Sequence, residues 1–369
     1  MPWKEMDRVE LRMLFVAAWE LGQSSVTDLC REFGVSRKTG YKWIKRFQDE
    51  GRAGLEDRSR RPRAIRYATD EAVAARLVGK RQSYPEWGAR KLCELLRTDG
   101  VEPPPERTAN RILKREGLVK PREKAVKEPK RFERPGPNEL WQMDHKQAVY
   151  GAWSVRMVPF AVLDDHSRYM VGLRSLPDKG LESTWGALWE ILGEFGLPEA
   201  ILSDNDSVFH GRSGPSRLEA RLMRLGIAVL HGRVYHPQTQ GKIEKANGTM
   251  MLEFLKDGHF RRPEELQPVM DTWRDRYNYI RPHEALSMAV PGSVYRPSPR
   301  KRPEGLPEME YAGGAVLRKA NKDGWISFRG RRISVGVGVS GEAVEVRESD
   351  GGVEVYFGPY RIPGEFMDK

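Results

Sequence analysis

AILSDNDSVF, residues 200–209, runs an apolar stretch into two acids, Asp204 and Asp206, where a strand should end. Carboxylates taken out of water are costly unless a partner neutralises them. The two acids therefore read either as turn formers or as ligands of a cation. The flanking segments place the stretch in a sheet. Upstream, NELWQMDHKQAVYGAWSVRMVPFAVLDDHSRYMVGLRSLP (138–177) alternates as two or three strands with short turns, and Asp144 falls inside an apolar and aromatic run. ESTWGALWEILGEFGLP (182–198) is an amphipathic helix closed by Gly196 and Pro198. Downstream, PSRLEARLMRLGIAV (215–229) holds a further helix, and HPQTQGKIEKANGTMMLEFLKDG (236–258) enters a long one with Glu244 in its first turns. A strand meander followed by helix, strand, helix and helix predicts an α/β domain, a mixed sheet covered by helices.

The chain of 369 residues has room for two or three domains, and 39% hydrophobic residues suit substantial cores. No run of about 18 apolar residues occurs, so no transmembrane helix is expected. The start MPWKEMDRVELRM has acids and no apolar core stretch, so it does not read as a signal peptide. Cys30 and Cys93 lie far apart without metal-site spacing, which points to a reducing, cytoplasmic setting. The net charge of +11 is unevenly placed: residues 1–134 hold 32 Lys and Arg against 21 Asp and Glu, and residues 135–369 hold 31 of each. A basic front joined to a neutral remainder points to nucleic-acid binding at the front.

SSVTDLCREFGVSRKTGYKWIKRFQDEG (24–51) reads as two helices around a tight turn, with Thr27 capping the first, Gly34 in the turn and Ser36 capping the second. Gly40, Trp43, Ile44 and Phe47 share one face of the second helix, and Lys38, Lys42 and Lys45 share the opposite one. This is a helix-turn-helix pattern with a cationic face for a DNA groove. Gly40 is its blemish, since Gly within a helix costs about 1 kcal/mol against Ala. GLEDRSRRPRAIR (54–66) follows as an extended linker, and its Arg58, Arg60, Arg61 and Arg63 suit phosphates or a narrow minor groove. Residues 70–118 form a second helical unit, expected as a helix-turn-helix of the winged type, whose third helix carries Arg107, Arg111, Lys114 and Arg115. VKPREKAVKEPKRFERPGP (119–137) is a basic tether.

Five segments in order, LWQMDHK, VLDDHSRYMVG, ILSDNDSVF, HPQTQGKIEKANGTM and YNYIRPHEAL, resemble the successive signatures of insertion-sequence transposases in the retroviral-integrase (DDE, RNase H-like) superfamily. The resemblance spans roughly residues 20–300 and implies an RNase H-like catalytic domain. It also implies two Mg²⁺ ions, replaceable by Mn²⁺, on the catalytic and metal-binding triad Asp144, Asp204 and Glu244. Such acids fit in-line displacement at phosphorus, where two ions activate the attacking oxygen and stabilise the leaving one. Mg²⁺ takes hard oxygen ligands and keeps several waters, so three carboxylates suffice. Asp206 stands where relatives usually carry Gly and reads as a turn residue. Asp164 to Arg168 resemble the family's inter-strand turn, and His236 is a lone His near the proposed centre. Lys242 and Lys245, flanking Glu244, are expected to hold phosphates. Arg281 and His283 are expected in local hydrogen bonds. Thirty-nine residues separate Asp204 from Glu244, more than is usual in the superfamily, and HGRSGPS (210–216) reads as a loop insertion that accounts for the excess.

GAVLRKANKDGWISFRGRRISVGVGVSGEAVEVRESDGGVEVYFGPYRI (314–362) alternates β-branched and polar residues between Gly-rich turns, predicting a small SH3-like barrel. The expected architecture is multidomain. Residues 1–55 form an all-α helix-turn-helix domain, 56–69 an Arg-rich linker, 70–118 the second helix-turn-helix and 119–137 the basic linker. Residues 138–295 form the α/β RNase H-like core with a mixed sheet, 296–312 a linker and 313–369 an all-β barrel. The function this implies is binding of an element's terminal inverted repeats, with metal-dependent cleavage of double-stranded DNA and strand transfer into target DNA. The implied agent is a homodimer or larger in the bacterial cytoplasm, at the nucleoid, without membrane contact. A catalytically decayed DNA-binding regulator and a nuclease of RNA–DNA hybrids are the alternatives. The presence of all three acids counts against the first, and tandem helix-turn-helix units count against the second.

Overall fold

Serine side chains set the helix starts of the front segment. In a computed structural model of the chain, Ser25 Oγ accepts from the Asp28 N–H at 3.2 Å and opens α2 (Val26–Glu32). Ser36 Oγ does the same for the Thr39 N–H, also at 3.2 Å, and opens α3 (Arg37–Glu50). The cap of α2 is thus Ser25 and not Thr27, which lies inside the helix. The structure describes residues 7–58, 69–119, 133–146, 149–150, 156–204, 206–211, 213–231, 241–255, 263–349 and 352–366. The chain divides into two units, Met1–Ala68 and Thr69–Lys369.

In the first unit, α1 (Arg8–Glu20), α2 and α3 enclose Phe15, Val16, Leu29, Cys30, Trp43 and Ile44. The Gly40 blemish has a steric reason. A Cβ there would lie 2.5 Å from Cys30 Sγ and 2.9 Å from the Phe15 ring, so only Gly lets α3 approach this closely.

The second unit begins with α4 (Glu71–Ser83), α5 (Ala89–Thr98) and α6 (Glu106–Arg115), packed around Leu77, Trp87, Leu92, Leu96 and Leu113. Among the described residues 69–119 there is no strand, and residues 120–132, where a wing following α6 would fall, lie outside the described residues. The α5–α6 connection contains Pro103, Pro104 and Pro105, which have no N–H to give a ladder.

The sheet comprises β1 (Trp141–His145), β2 (Val149–Tyr150), β3 (Arg156–Asp164), β4 (Met170–Leu176), β5 (Ala200–Ser203) and β6 (Ala228–His231). β1 pairs antiparallel with β3 and parallel with β5, which pairs parallel with β6. β4 and the short β2 both pair antiparallel with β3. The sheet is therefore mixed, as the order of elements predicts. Strand β3 shows why it is buried on both faces. Val158, Phe160 and Val162 point to one core, with Leu188, Ile191 and Leu192 of α7 (Leu181–Phe195) and Leu218 and Leu222 of α8 (Arg217–Arg224). Met157, Ala161 and Leu163 point to the other, with Ile243 and Met250 of α9 (Gly241–Met250) and Leu266, Met270 and Trp273 of α10 (Pro263–Tyr279). The two-residue period of the strand divides the cores. A short α11 (Pro291–Val294) follows.

The tail carries β7 (Leu317–Lys319), β8 (Trp325–Phe328), β9 (Arg331–Ser334), β10 (Ala343–Ser349), β11 (Gly352–Phe357), β12 (Tyr360–Ile362) and β13 (Glu365–Phe366). They form two sheets, β12-β11-β10-β7 and β13-β9-β8, over a shared core that includes Ile326, Val335, Val344 and Phe357. The expected closed barrel is not formed among the described residues. Ala220 of α8 is buried in the same core, so the tail is seated on that helix.

Candidate catalytic site

Parallel pairing of β1 with β5 brings the first two acids together. Gln142 lies opposite Leu202, and continuing that register by two residues sets Asp144 beside Asp204. Burial and the neighbouring Asp204 charge push the Asp144 carboxyl up to about 6, against the Asn247 hydrogen bond and the charges of Lys146 and Lys179. Asn247 Nδ2 donates to Asp144 Oδ2 at 2.7 Å. Asp204 Oδ1 accepts the Asp206 N–H at 3.1 Å, which bends the chain out of β5. The Asp206 carbonyl then accepts the N–H groups of Phe209 (2.8 Å) and His210 (3.0 Å). Asp206 is the turn residue expected, and its carboxylate meets Lys179 Nζ at 3.1 Å. Burial works against that carboxylate, but Lys179 outweighs it and holds its pKa below the usual value.

Helix α9 is pinned to this edge by its first turn. Lys242 Nζ lies 2.6 Å from the fully buried Asp165 carboxylate and also donates to the Asp165 carbonyl. Gln142 donates to Asp165 Oδ1 at 2.8 Å and accepts the Ile243 N–H at 3.3 Å. The expectation that Lys242 holds phosphates is therefore corrected, because its ammonium is committed to a buried acid. Glu244 is exposed on α9, three residues before Asn247 and on the same helix face. Its carboxylate is not gathered with Asp144 and Asp204 into one cluster of ligand atoms among the described residues.

Sequence reasoning missed Asn247, Lys179 and His145. His145 stacks on Phe209 with ring centroids 4.7 Å apart, and its Nε2 lies 3.1 Å from Thr184 Oγ1. Burial, then Lys179, lowers its pKa to about 4, so it is a neutral support for the Asp206 turn at neutral pH. The available signals were position only: His145 follows Asp144, and Asn247 lies one helical turn beyond Glu244.

Lys38, Lys42 and Lys45 are exposed on α3, as are Arg111 and Lys114 on α6 and Lys245 on α9. Arg58 is paired with Glu50. Arg60, Arg61, Arg63 and His236 lie outside the described residues. Arg281 is engaged far from its own segment, on Glu253. Both oxygens of that acid are taken, since Trp87 Nε1 donates to one at 3.0 Å and Trp273 Nε1 to the other at 2.8 Å. His283 does sit in a local network, its N–H donating to the Ala289 carbonyl at 3.1 Å.

Family models match most of the chain in sequence. An integrase core domain matches residues 134–237, and a second integrase core model matches 225–291. A helix-turn-helix domain matches 12–63 and a homeodomain-like domain 39–113, while the C-terminal domain of IS481 family transposases matches 315–364. The chain carries the helix-turn-helix domains, the integrase core and the IS481-type C-terminal domain found in insertion-sequence transposases. The chain is 26% identical over 230 residues to an uncharacterized protein of insertion element IS407 from Burkholderia multivorans, covering 60% of this chain and 80% of the other. It is 28% identical over 246 residues to an uncharacterized protein of IS476 from Xanthomonas euvesicatoria, covering 65% and 69%. The HTLV-2 integrase catalytic core, solved in complex with magnesium, resembles this chain at 15% identity and a TM-score of 0.34, over 44% of this chain and 99% of the other.

Proposed function

We propose that the chain is a transposase that cuts at the terminal inverted repeats of its element and joins the freed 3′ hydroxyls to target DNA, at a site made by Asp144, Asp204 and Glu244. The observation that carries this reading is the coupled pair at adjacent strand ends, with Asn247 joining Asp144 to the helix that bears Glu244. Two acids this close, one held up to about 6 by burial and its neighbour, suit a divalent cation. Their oxygens match the ligand preference of Mg²⁺ or Mn²⁺. Two ions held there would stabilise charge on the attacking and leaving oxygens of an in-line displacement. Asp144, Asp204 and Glu244 would hold them, while Asn247 fixes the Asp144 carboxylate and Lys179 keeps the Asp206 turn in place.

Recognition falls to residues 1–55 and 70–118, through Lys38, Lys42 and Lys45 and through Arg111 and Lys114, with the arginines of 58–63 and Lys245 on the phosphate backbone. Joining two DNA ends needs two active sites, so the working species is a homo-oligomer. No described helix is long and apolar enough to cross a membrane, and the reading places the protein on DNA in the cytoplasm. The test is a cleavage and joining assay on labelled duplexes bearing the element's ends. Asp144→Asn, Asp204→Asn and Glu244→Gln should each abolish both steps and spare end binding. Activity retained in any one removes that residue from the triad.

A further inference from the structure

His210 and His231 take no part in the chemistry above, yet they converge on one carboxylate. His210 closes the Asp206 turn. His231 ends β6, opposite Ser203, the residue before Asp204. Glu219 stands in the first turn of α8. One ligand atom from each of the three lies within 4.8 Å of the others. His231 Nε2 is 2.7 Å from Glu219 Oε1, and the two imidazole rings meet edge to face with centroids 4.4 Å apart.

The Glu219 carboxylate is also built in. Its side chain is 8% exposed, and Oε2 accepts the N–H groups of Ser216 and Gly211. Capping α8 uses only Oε2, so it explains neither the His231 contact at Oε1 nor the second imidazole gathered beside it.

We propose that His210, Glu219 and His231 form a second metal site, separate from the acid pair, for a zinc-class divalent ion. Two imidazole nitrogens and one carboxylate oxygen suit Zn²⁺, with water as fourth ligand, whereas Mg²⁺ selects oxygen alone. Bonds of about 2.0–2.2 Å in a tetrahedron set ligand atoms about 3.4 Å apart. Rotation of the exposed His210 side chain closes the present spread, and the ion would sit between His231 Nε2 and Glu219 Oε1 with the imidazole hydrogen carried on Nδ1. The backbone donors on Oε2 hold the carboxylate in its ligating orientation.

The site joins the turn that starts at Asp204, the start of α8 and the end of β6. It also anchors the 210–216 loop against the tail, where Gly338 N–H donates to the Pro215 carbonyl at 3.0 Å and a Cβ on Gly214 would lie 2.3 Å from the Val335 carbonyl oxygen. The ion is therefore a positioning element for the loop that leaves the acid pair.

The test uses the full-length chain carrying Asp144→Asn, Asp204→Asn and Glu244→Gln, so that its outcome does not depend on the triad. Co²⁺ titration should give one equivalent per chain with the intense visible bands of a tetrahedral site, displaced by Zn²⁺, and Zn²⁺ should raise the melting temperature. His210→Ala should weaken Co²⁺ binding at least as much as losing a ligand's own hydrogen-bond partner does, about tenfold or more. Because His210 is exposed, its melting temperature in EDTA should match the parent, which separates ligand loss from misfolding. His231→Gln and Glu219→Gln should lose the tetrahedral bands. Absence of tetrahedral Co²⁺ in the parent, or bands that persist unchanged in His210→Ala, overturns the proposal.

Discussion

The Asn247 amide donates to Asp144 Oδ2 at 2.7 Å and so links helix α9 to the end of strand β1. The contact presents an amide donor to one oxygen of a crowded carboxylate.

Asn247→Ala should lower strand cleavage about 10–100-fold, the usual loss when a metal ligand is deprived of its orienting partner. End-DNA affinity should stay as in the wild type. Cleavage kinetics beside a gel shift on the same duplex check both, and full activity would make the contact merely structural.

The Asp144 carboxyl, raised to about 6, gives a stability signature. A folded-state pKa above the unfolded value contributes stability that is complete below about pH 4 and is lost as pH rises through about 6. His145, lowered to about 4, and His283, lowered to about 3, act in the opposite sense, losing stability as pH falls below their unfolded value. The readout is therefore the difference between wild type and Asp144→Asn in EDTA. Wild type should lose melting temperature relative to the variant between pH 4 and 7, and Mg²⁺ should restore it. A pH-independent difference would contradict a carboxyl raised by burial and by Asp204.

Replacing Lys38, Lys42 and Lys45 by Ala should weaken binding to end DNA. Each lost phosphate contact should remove about 0.9 from the slope of log affinity against log salt. Affinity and slope both unchanged would show that this face of α3 does not meet DNA.

Lys242→Ala should act on stability. It leaves the buried Asp165 without its ammonium partner, and breaking a buried pair costs about 3–5 kcal/mol. Denaturant unfolding should show that loss, while the salt dependence of DNA binding stays the same.

Gly40→Ala gains about 1 kcal/mol of helix propensity but forces a methyl into Cys30 and Phe15. Overpacking costs about 1–3 kcal/mol, so the net effect should be destabilising. A thermal melt of residues 1–68 inside the full chain checks the sign.

The mixed sheet was legible because apolar runs ending in acids mark strand ends, and Asp144 and Asp204 do fall at neighbouring ends. Asn247 was not, since its value comes from a partner 103 residues away on another element. Lys242 was misread for the same reason: a Lys beside Glu244 looks solvent-facing until Asp165 is found beneath it. In the tail, alternation located strands but carried nothing about which edges meet, so two sheets read as a closed barrel. The Ser25 cap was displaced to Thr27 because both residues can accept from a helix N-terminus.

Glu253 takes the indoles of Trp87, just ahead of α5, and Trp273 of α10, and pairs with Arg276 and Arg281. Undocking the α4–α6 bundle would strip one of these donors from an acid whose side chain is only 7% exposed. Partial opening is thereby disfavoured, and the bundle and the sheet should melt as one cooperative block. In calorimetry, residues 69–369 should give a single endotherm that Glu253→Gln splits or broadens.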